Sequence, residues 1–224
     1  MSTRPSLEAC IFDLDGVLVD TAKYHFLAWR RLANELGFDF DEEANEKLKG
    51  VGRMESLEII LSWGGIDLTE EQKQSWAERK NGWYLELVEG MDPSEILEGV
   101  MDFLEDLKKN GIRIGIASSS KNAATILEKI GLSGHFETLV DGNGLARTKP
   151  DPLIFLTCAQ ALGVDPGHAV VFEDAQSGID AALAGGFWAV GVGKPEVLSD
   201  ARLVIPGFKG WTWAKMESAL LNPS

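Results

Sequence analysis

Two carboxylates stand on either side of one leucine near the start of the chain. Asp13 and Asp15, in the string CIFDLDGV, come directly after the short apolar run ACIF. Such a pair can divide the work of a reaction, because one carboxylate can attack as a nucleophile while the other moves a proton. A lone aspartate at a strand end is more commonly a turn or cap residue, so the pair needs partners from elsewhere in the chain to indicate chemistry.

Three later segments supply polar partners at comparable places. Ser118–Ser120 end the segment IRIGIASSS, Lys149 lies in the loop ARTKPDP, and Glu173 and Asp174 close the apolar run AVVF. The carboxyl ends of parallel strands meet at one edge of a sheet, near the point where the strand order reverses. We therefore expect these side chains to lie close to the two aspartates.

This set of side chains suits phosphoryl transfer through an aspartyl phosphate. Asp13 would attack phosphorus and Asp15 would carry the proton of the attacking or leaving oxygen. Lys149 would screen the nucleophile and a phosphate oxygen, while Ser118 and backbone amides would bind the remaining oxygens.

The same chemistry predicts a divalent metal ion. Carboxylates that approach a phosphate repel it, so a cation must lower the charge, and hard oxygen ligands suit Mg²⁺. The candidate ligands are Asp13, Asp15, Glu173 and Asp174.

The elements that must position these residues alternate between strand and helix patterns. Strand-like apolar runs begin at Ala9, after Gly111, at Ala169 and at Phe187, and helical faces lie at 97–107, 124–130 and 154–162. This order predicts an α/β, Rossmann-like three-layer core with a parallel sheet.

One region breaks the alternation and predicts a second domain. Residues 18–89 hold only helical patterns, such as the face formed by Ala22, Phe26 and Trp29. We expect residues 1–17 and 90–224 to form the core domain, and residues 18–89 to form a helical cap domain inserted after the first strand.

Composition excludes several classes of function. The 224-residue chain carries a formal charge of −14, which disfavours binding to nucleic acid or to an anionic membrane surface. No apolar run approaches the ~20 residues of a membrane-spanning helix, and the N-terminus lacks a signal-peptide layout. We expect a cytoplasmic protein, a monomer, whose partner is a small molecule.

The residues singled out above resemble the four motifs of the haloacid dehalogenase superfamily. The resemblance covers nearly the whole chain and includes DLDGV at 13–17, Ser118, Lys149 with Pro150, and Glu173 with Asp174. In that superfamily an acid two positions after the nucleophile marks phosphatases and phosphomutases, and Asp15 fills that place. The helical insertion resembles the superfamily's cap domain.

Further strings resemble the β-phosphoglucomutase family, whose members interconvert β-glucose 1-phosphate and glucose 6-phosphate through β-glucose 1,6-bisphosphate. They include TAKYHFLAW, LKGVGRMESL, ERKN and ASSSKN. The resemblance implies that Arg53 meets the phosphate that is not being transferred and that His25 helps to couple cap closure to Asp15. The other residues that it implies for substrate binding are Lys49, Gly50, Val51, Ser56, Lys80, Ser120, Lys121 and Asn122.

Two alternatives to a mutase remain at this point. A sugar-phosphate phosphatase would share the first half of the reaction and would then let water attack the aspartyl phosphate. A catalytically idle phosphosugar sensor is the other alternative, and the intact set Asp13, Asp15, Lys149 and Asp174 disfavours it.

Overall fold

A computed structural model describes residues 6–49 and 51–222. The strands in chain order are β1 (Ala9–Phe12), β2 (Arg113–Ala117), β3 (Thr138–Val140), β4 (Ala169–Glu173), β5 (Trp188–Val192) and β6 (Leu203–Ile205). The α-helices are α1 (Ala22–Glu35), α2 (Glu42–Asn45), α3 (Arg53–Gly64), α4 (Glu70–Val88), α5 (Val100–Lys109), α6 (Ala123–Lys129), α7 (Leu153–Leu162), α8 (Gln176–Ala184) and α9 (Trp213–Leu221).

The six strands form one parallel sheet in the order β3-β2-β1-β4-β5-β6. The chain moves outward from β1 in one direction and then returns to its other side with β4. Strand β1 is therefore central, and the strand order reverses beside it. A crevice opens at such a reversal outside the carboxyl ends of the strands, which is where Asp13 follows β1.

Helices cover both faces of the sheet, as predicted. Side chains alternate along each strand, so Phe12 faces a core cluster shared with α5, α6 and α9, while Ile11 faces a second cluster shared with α7 and α8. Phe12 stacks on Phe172 of β4 with ring centroids 4.7 Å apart. These two apolar layers hold β1 and β4 side by side and so fix the backbone beneath the candidate site.

The predicted strands and core helices are confirmed, with two strands missed. Helix α7 ends at Leu162, where the helical face predicted at 154–162 also ends, and Gly163 takes the left-handed conformation with φ of 67°. Strands β3 and β6 each have three residues and lie at the two edges of the sheet. Apolar runs this short give no distinct period in the sequence.

Residues 18–89, which we call the helical insert, hold α1 to α4 between β1 and α5. Trp29, Leu32, Leu57 and Ile60 are buried in a cluster of their own, separate from the two clusters on the sheet. Helix α4 begins with a capping box in which Thr69 and Gln72 satisfy each other's backbone N–H groups. Within the described part of the chain, no helix is long and apolar enough to cross a membrane.

Candidate active site

Asp13 lies at the end of β1 and is 6% exposed. Its backbone N–H donates to the carbonyl of Phe172, 2.9 Å away, which continues the ladder between β1 and β4. The Nζ of Lys149 lies 2.5 Å from Oδ1 of Asp13 and 2.7 Å from Oε2 of Glu173, and it also donates to the carbonyl of Ala117. Burial lowers the pKa of Lys149, but the charges of Asp13 and Glu173 outweigh this and hold its pKa above the ordinary value.

Asp15 is held by two hydroxyl groups. Thr21, directly before α1, donates its hydroxyl to Oδ1 of Asp15 rather than capping the helix, and Ser118 donates to Oδ2 at 3.4 Å. Burial, followed by the charge of Asp13, raises the pKa of Asp15 to about 6. A carboxyl group with such a pKa is available near neutral pH both as an acid and as a base, which suits proton transfer.

Three carboxylates gather at the carboxyl ends of β1 and β4. Asp13, Glu173 and Asp174 each offer an oxygen, and these oxygens lie within 4.8 Å of one another. Burial and then the neighbouring charges raise the pKa of Asp174, and burial raises the pKa of Glu173 to about 7. Several hard oxygen atoms crowded in a buried place form a donor set that fits a divalent cation. The side chain of Asp15 is outside this cluster, so its assignment as a metal ligand stays a prediction.

Two glycines, which have no side chain, make room for the carboxyl groups of this cluster. A Cβ at Gly178, in the first turn of α8, would overlap the carboxyl group of Glu173. Gly16 has a φ of 77°, and a Cβ there would overlap the carboxyl group of Asp174. A side chain at either position would therefore displace a candidate metal ligand.

A cleft of about 440 Å³ lies between the helical insert and this edge of the sheet. It brings together most of the predicted site residues: Asp13, Asp15, His25, Lys49, Val51, Arg53, Ser56, Lys80, Ser120, Lys121, Asn122, Lys149 and Asp174. Ser118 and Glu173 are buried just behind this lining, each less than 2% exposed. Gly50 lies outside the described residues.

Lys80 of α4 is 3% exposed and points into this cleft from the insert. Its Nζ lies 3.0 Å from Nδ1 of His25 and 4.2 Å from the ring centre of Trp29. Burial and then the charge of Arg53 hold the pKa of Lys80 well below its ordinary value, and burial lowers the pKa of His25 as well. Among the residues that the structure describes, no carboxylate lies within hydrogen-bond distance of this amine. The insert therefore offers the Lys80 amine to a ligand in the cleft.

Two further contacts join the insert to the core across the cleft. The Nζ of Lys49 lies 3.6 Å from Oδ2 of Asp174. Asn81 of α4 accepts hydrogen bonds from Arg53 at 2.8 Å and from Asn122 of the core at 3.0 Å. The insert thus lies directly over the carboxylates, and Arg53 and Asn122 share Asn81 as their hydrogen-bond acceptor.

The sequence reasoning missed three residues of the site: Thr21, Asn81 and Tyr84. Thr21 appeared only within the string TAKYHFLAW, and Asn81 only within the string ERKN. Tyr84 is fully buried, and its ring lies 4.2 Å from that of His25. The spacing was a usable signal for Tyr84, because it follows Lys80 by four residues and Asn81 by three on α4. Residues three and four apart share a helix face.

A family model described as haloacid dehalogenase-like hydrolase matches residues 7–186. The chain belongs to the haloacid dehalogenase-like hydrolase family, and the matched range includes Asp13, Lys149, Glu173 and Asp174.

Within this family, the likeness to β-phosphoglucomutases is confirmed by sequence and by structure. The chain is 45% identical to the β-phosphoglucomutase of Bacillus subtilis, over 89% of each protein. A crystal structure of β-phosphoglucomutase from Clostridium difficile superposes with a TM-score of 0.92 at 42% identity, covering 96% of this chain and 97% of that one. A phosphorylated carbohydrates phosphatase of Thermotoga maritima is 34% identical, over 89% of this chain and 90% of that protein.

Proposed function

We propose that this protein is a β-phosphoglucomutase that interconverts β-D-glucose 1-phosphate and glucose 6-phosphate. The observation that carries this proposal is that a single cleft has two ends able to handle phosphate. Asp13, Asp15 and Lys149 supply the reacting end, whereas Arg53 and Asn122 line the same cleft and donate hydrogen bonds to Asn81 of the insert. A bisphosphate needs both ends at once, while a hydrolase of small esters needs only the first.

The mutase cycle begins with the phosphorylated enzyme, which places its phosphoryl group on the sugar. The carboxylate of Asp13, already phosphorylated, gives its phosphoryl group to the 6-hydroxyl of β-glucose 1-phosphate, and Asp15 takes the hydroxyl proton. The P–O bond to Asp13 breaks as the new P–O bond forms, and β-glucose 1,6-bisphosphate results. Lys149 offsets the negative charge that returns to Asp13.

The second half reverses the roles on the other phosphate. After the bisphosphate turns end over end, Asp13 attacks phosphorus of the 1-phosphate, and Asp15 returns its proton to the leaving sugar oxygen. Glucose 6-phosphate leaves and Asp13 is phosphorylated again. Arg53 serves both orientations, because the bisphosphate always offers one phosphate to Asp13 and the other to the insert.

The metal is proposed to be Mg²⁺, held by Asp13, Glu173 and Asp174, whose oxygens form the cluster described above. When bound, it would lower the negative charge on the carboxylates and on the transferring phosphoryl group.

We also propose that residues 18–89 act as a cap domain and that residues 1–17 and 90–224 form the core domain. The separate apolar cluster around Trp29 supports this division. A cap that closes over the aspartyl phosphate excludes water, which favours transfer to a sugar hydroxyl over hydrolysis.

The experiment is an assay with both products followed at once. Purified protein with Mg²⁺ and a trace of the bisphosphate is given β-glucose 1-phosphate, and glucose 6-phosphate is detected with a coupled dehydrogenase while inorganic phosphate is measured separately. We expect glucose 6-phosphate to form far faster than phosphate, and the α anomer serves as the control substrate. Phosphate release at a comparable rate would instead indicate a phosphatase, as in the Thermotoga relative.

A further inference from the structure

Asn81 joins the two sides of the cleft through a single atom. Its Oδ1 accepts a hydrogen bond from Nη2 of Arg53, at 2.8 Å, and another from Nδ2 of Asn122, at 3.0 Å. Arg53 begins α3 in the helical insert, whereas Asn122 precedes α6 in the core. Two donors from different parts of the fold therefore converge on one point.

The charge of Arg53 has no matching carboxylate at this point. Within residues 6–49 and 51–222, no ion pair of 4.0 Å or less involves Arg53. The side chain is partly buried, and burial lowers its pKa. A partly buried guanidinium usually pairs with an anion, since burial of an uncompensated charge is costly. Here its hydrogen-bonded partner is a neutral amide.

The Asn122 side of the contact is also fixed by its neighbours. The backbone N–H of Asn122 donates to Oγ of Ser120 at 3.2 Å, and that of Ser120 donates to Oγ of Ser118 at 3.1 Å. These short-range bonds set the loop after β2 and leave the amide group of Asn122 directed at Asn81. Lys121, which lies between Ser120 and Asn122 in the sequence, lines the same cleft.

We propose that Asn81 is a positioning residue for the phosphate that is not being transferred. Its carbonyl oxygen stands where an anionic oxygen would stand, and it holds Arg53 and Asn122 together until the phosphate binds. This inference rests on the proposed function, since it concerns the second phosphate of the same cleft.

The neutrality of Asn81 is what makes this role possible. Hydrogen bonds to an ionised acceptor are roughly twice as strong as those between neutral groups, so a phosphate oxygen outcompetes an amide oxygen for the guanidinium. Holding the donors in advance lowers the cost of ordering them when the ligand binds. A carboxylate at position 81 would hold Arg53 more strongly and would also repel the phosphate.

The first test measures binding without turnover. In an Asp13→Asn background, which removes the nucleophile, the Kd of β-glucose 1,6-bisphosphate is measured by tryptophan fluorescence for Asn81→Ala and Asn81→Asp, because this ligand always places one phosphate at the Arg53 end of the cleft. We expect Asn81→Ala to weaken binding about tenfold and Asn81→Asp to weaken it further, by about a hundredfold. Asn34→Ala, at an exposed amide of α1, is the matched control and should leave Kd unchanged.

The second test separates positioning from a structural role. In the otherwise unaltered enzyme, Asn81→Ala should raise the KM for β-glucose 1-phosphate while hydrolysis of acetyl phosphate, which has a single phosphate, stays within about twofold of its original rate. Equal losses with both substrates, or an unchanged Kd in both variants, would overturn the proposal. Asn81→Asp keeps the shape and the acceptor oxygen of the original side chain, so it covers the case in which Asn81→Ala fails to fold.

The outcomes also separate this inference from the proposed function. If the protein forms no glucose 6-phosphate, the proposed mutase activity fails, yet the Kd measurements still report whether Asn81 organises a phosphate site. If mutase activity is present and Kd does not respond to either variant, only the role of Asn81 fails.

Discussion

Lys149 and Asp13 come from loops 136 positions apart, yet the Nζ of one lies 2.5 Å from a carboxylate oxygen of the other. The lysine side chain is fully buried and also bonds to Glu173. This arrangement makes the candidate nucleophile part of a buried ion cluster, so changes in the cluster should affect both stability and catalysis.

Lys149→Met should destabilise the fold as well as abolish activity. Removal of one partner leaves Asp13 and Glu173 without their shared cation, and breaking a buried pair costs about 3–5 kcal/mol. Urea denaturation in EDTA at pH 8 should show this loss. Lys109→Met, at a 73% exposed side chain of a surface pair, should cost less than about 1 kcal/mol.

The stability deficit of Lys149→Met should become smaller as pH falls. Burial already raises the pKa of Glu173 to about 7, and loss of the lysine raises it further. When the pKa of an acid is higher in the folded protein than in the unfolded chain, the acid does not change the free energy of unfolding at low pH. The free energy of unfolding then falls as pH rises from the unfolded pKa toward the folded pKa. The difference in free energy of unfolding between the original protein and Lys149→Met should therefore be smaller at pH 5 than at pH 8. An equal difference at both pH values would contradict this account.

Asp15→Asn should slow the mutase reaction by about 10² to 10⁴, the usual contribution of a proton-transfer group. Acetyl phosphate offers a separate measurement, because its acetate leaving group needs no proton. We expect acetyl phosphate to label Asp13 in the variant at close to the normal rate, measured as acid-trapped phosphoprotein. If labelling falls as far as mutase turnover, Asp15 does more than move a proton.

Mg²⁺ should stabilise the folded protein through the carboxylate cluster. At a hundredfold excess over Kd, a ligand that binds only the folded state contributes about 2.7 kcal/mol, visible as a higher Tm. Asp174→Asn should remove most of this gain, whereas Asp102→Asn, at an exposed residue of α5, should retain it. A Tm of the Asp174 variant that responds fully to Mg²⁺ would place the metal elsewhere.

The gain from Mg²⁺ should also weaken as pH falls through about 7. Burial raises the pKa of Glu173 to about 7 when no metal is bound, and a ligand carboxylate must lose its proton before it binds the metal. Thermal unfolding at pH 8 and pH 6, with and without Mg²⁺, tests this dependence. A gain that grows at pH 6 would exclude Glu173 as a ligand.

Lys80 predicts a contribution to stability that rises with pH. Its pKa in the folded protein lies well below the ordinary value because burial and then Arg53 disfavour the charged form. The unfolded chain therefore holds the proton more tightly, and the stability contributed at this site rises with pH from the folded pKa toward about 10.5. The free energy of unfolding of Lys80→Met, taken relative to that of the original protein, should therefore be more favourable at pH 6 than at pH 9.5.

Chemical denaturation across this range measures the difference for Lys80. Lys47→Met, at an exposed lysine of the same insert, reports the background effect of removing a positive charge. A difference between Lys80→Met and the original protein that stays constant with pH would mean that Lys80 titrates normally.

Local patterns predicted the parts of the fold that depend on neighbours in sequence. The run Ala9–Phe12 matches β1, and the glycine after Leu162 marks the end of α7. Strand β3 escaped prediction because three residues at a sheet edge carry too little periodicity. Thr21 was not singled out from the sequence, since nothing nearby in sequence shows that its hydroxyl reaches Asp15.

The sequence by itself determined which chemistry is available: an acid pair after a buried strand, a lysine before a proline, and two acids after another strand. The tertiary structure alone decided how these groups meet, because strand order brings β1 beside β4 and the insert folds back over their ends. Burial there moves the pKa of Asp15 and Lys80, and Asn81 gains two partners. Electrostatic strength and hydrogen-bond geometry depend on distance and on the surrounding medium, which are properties of the packed molecule and not of residue order.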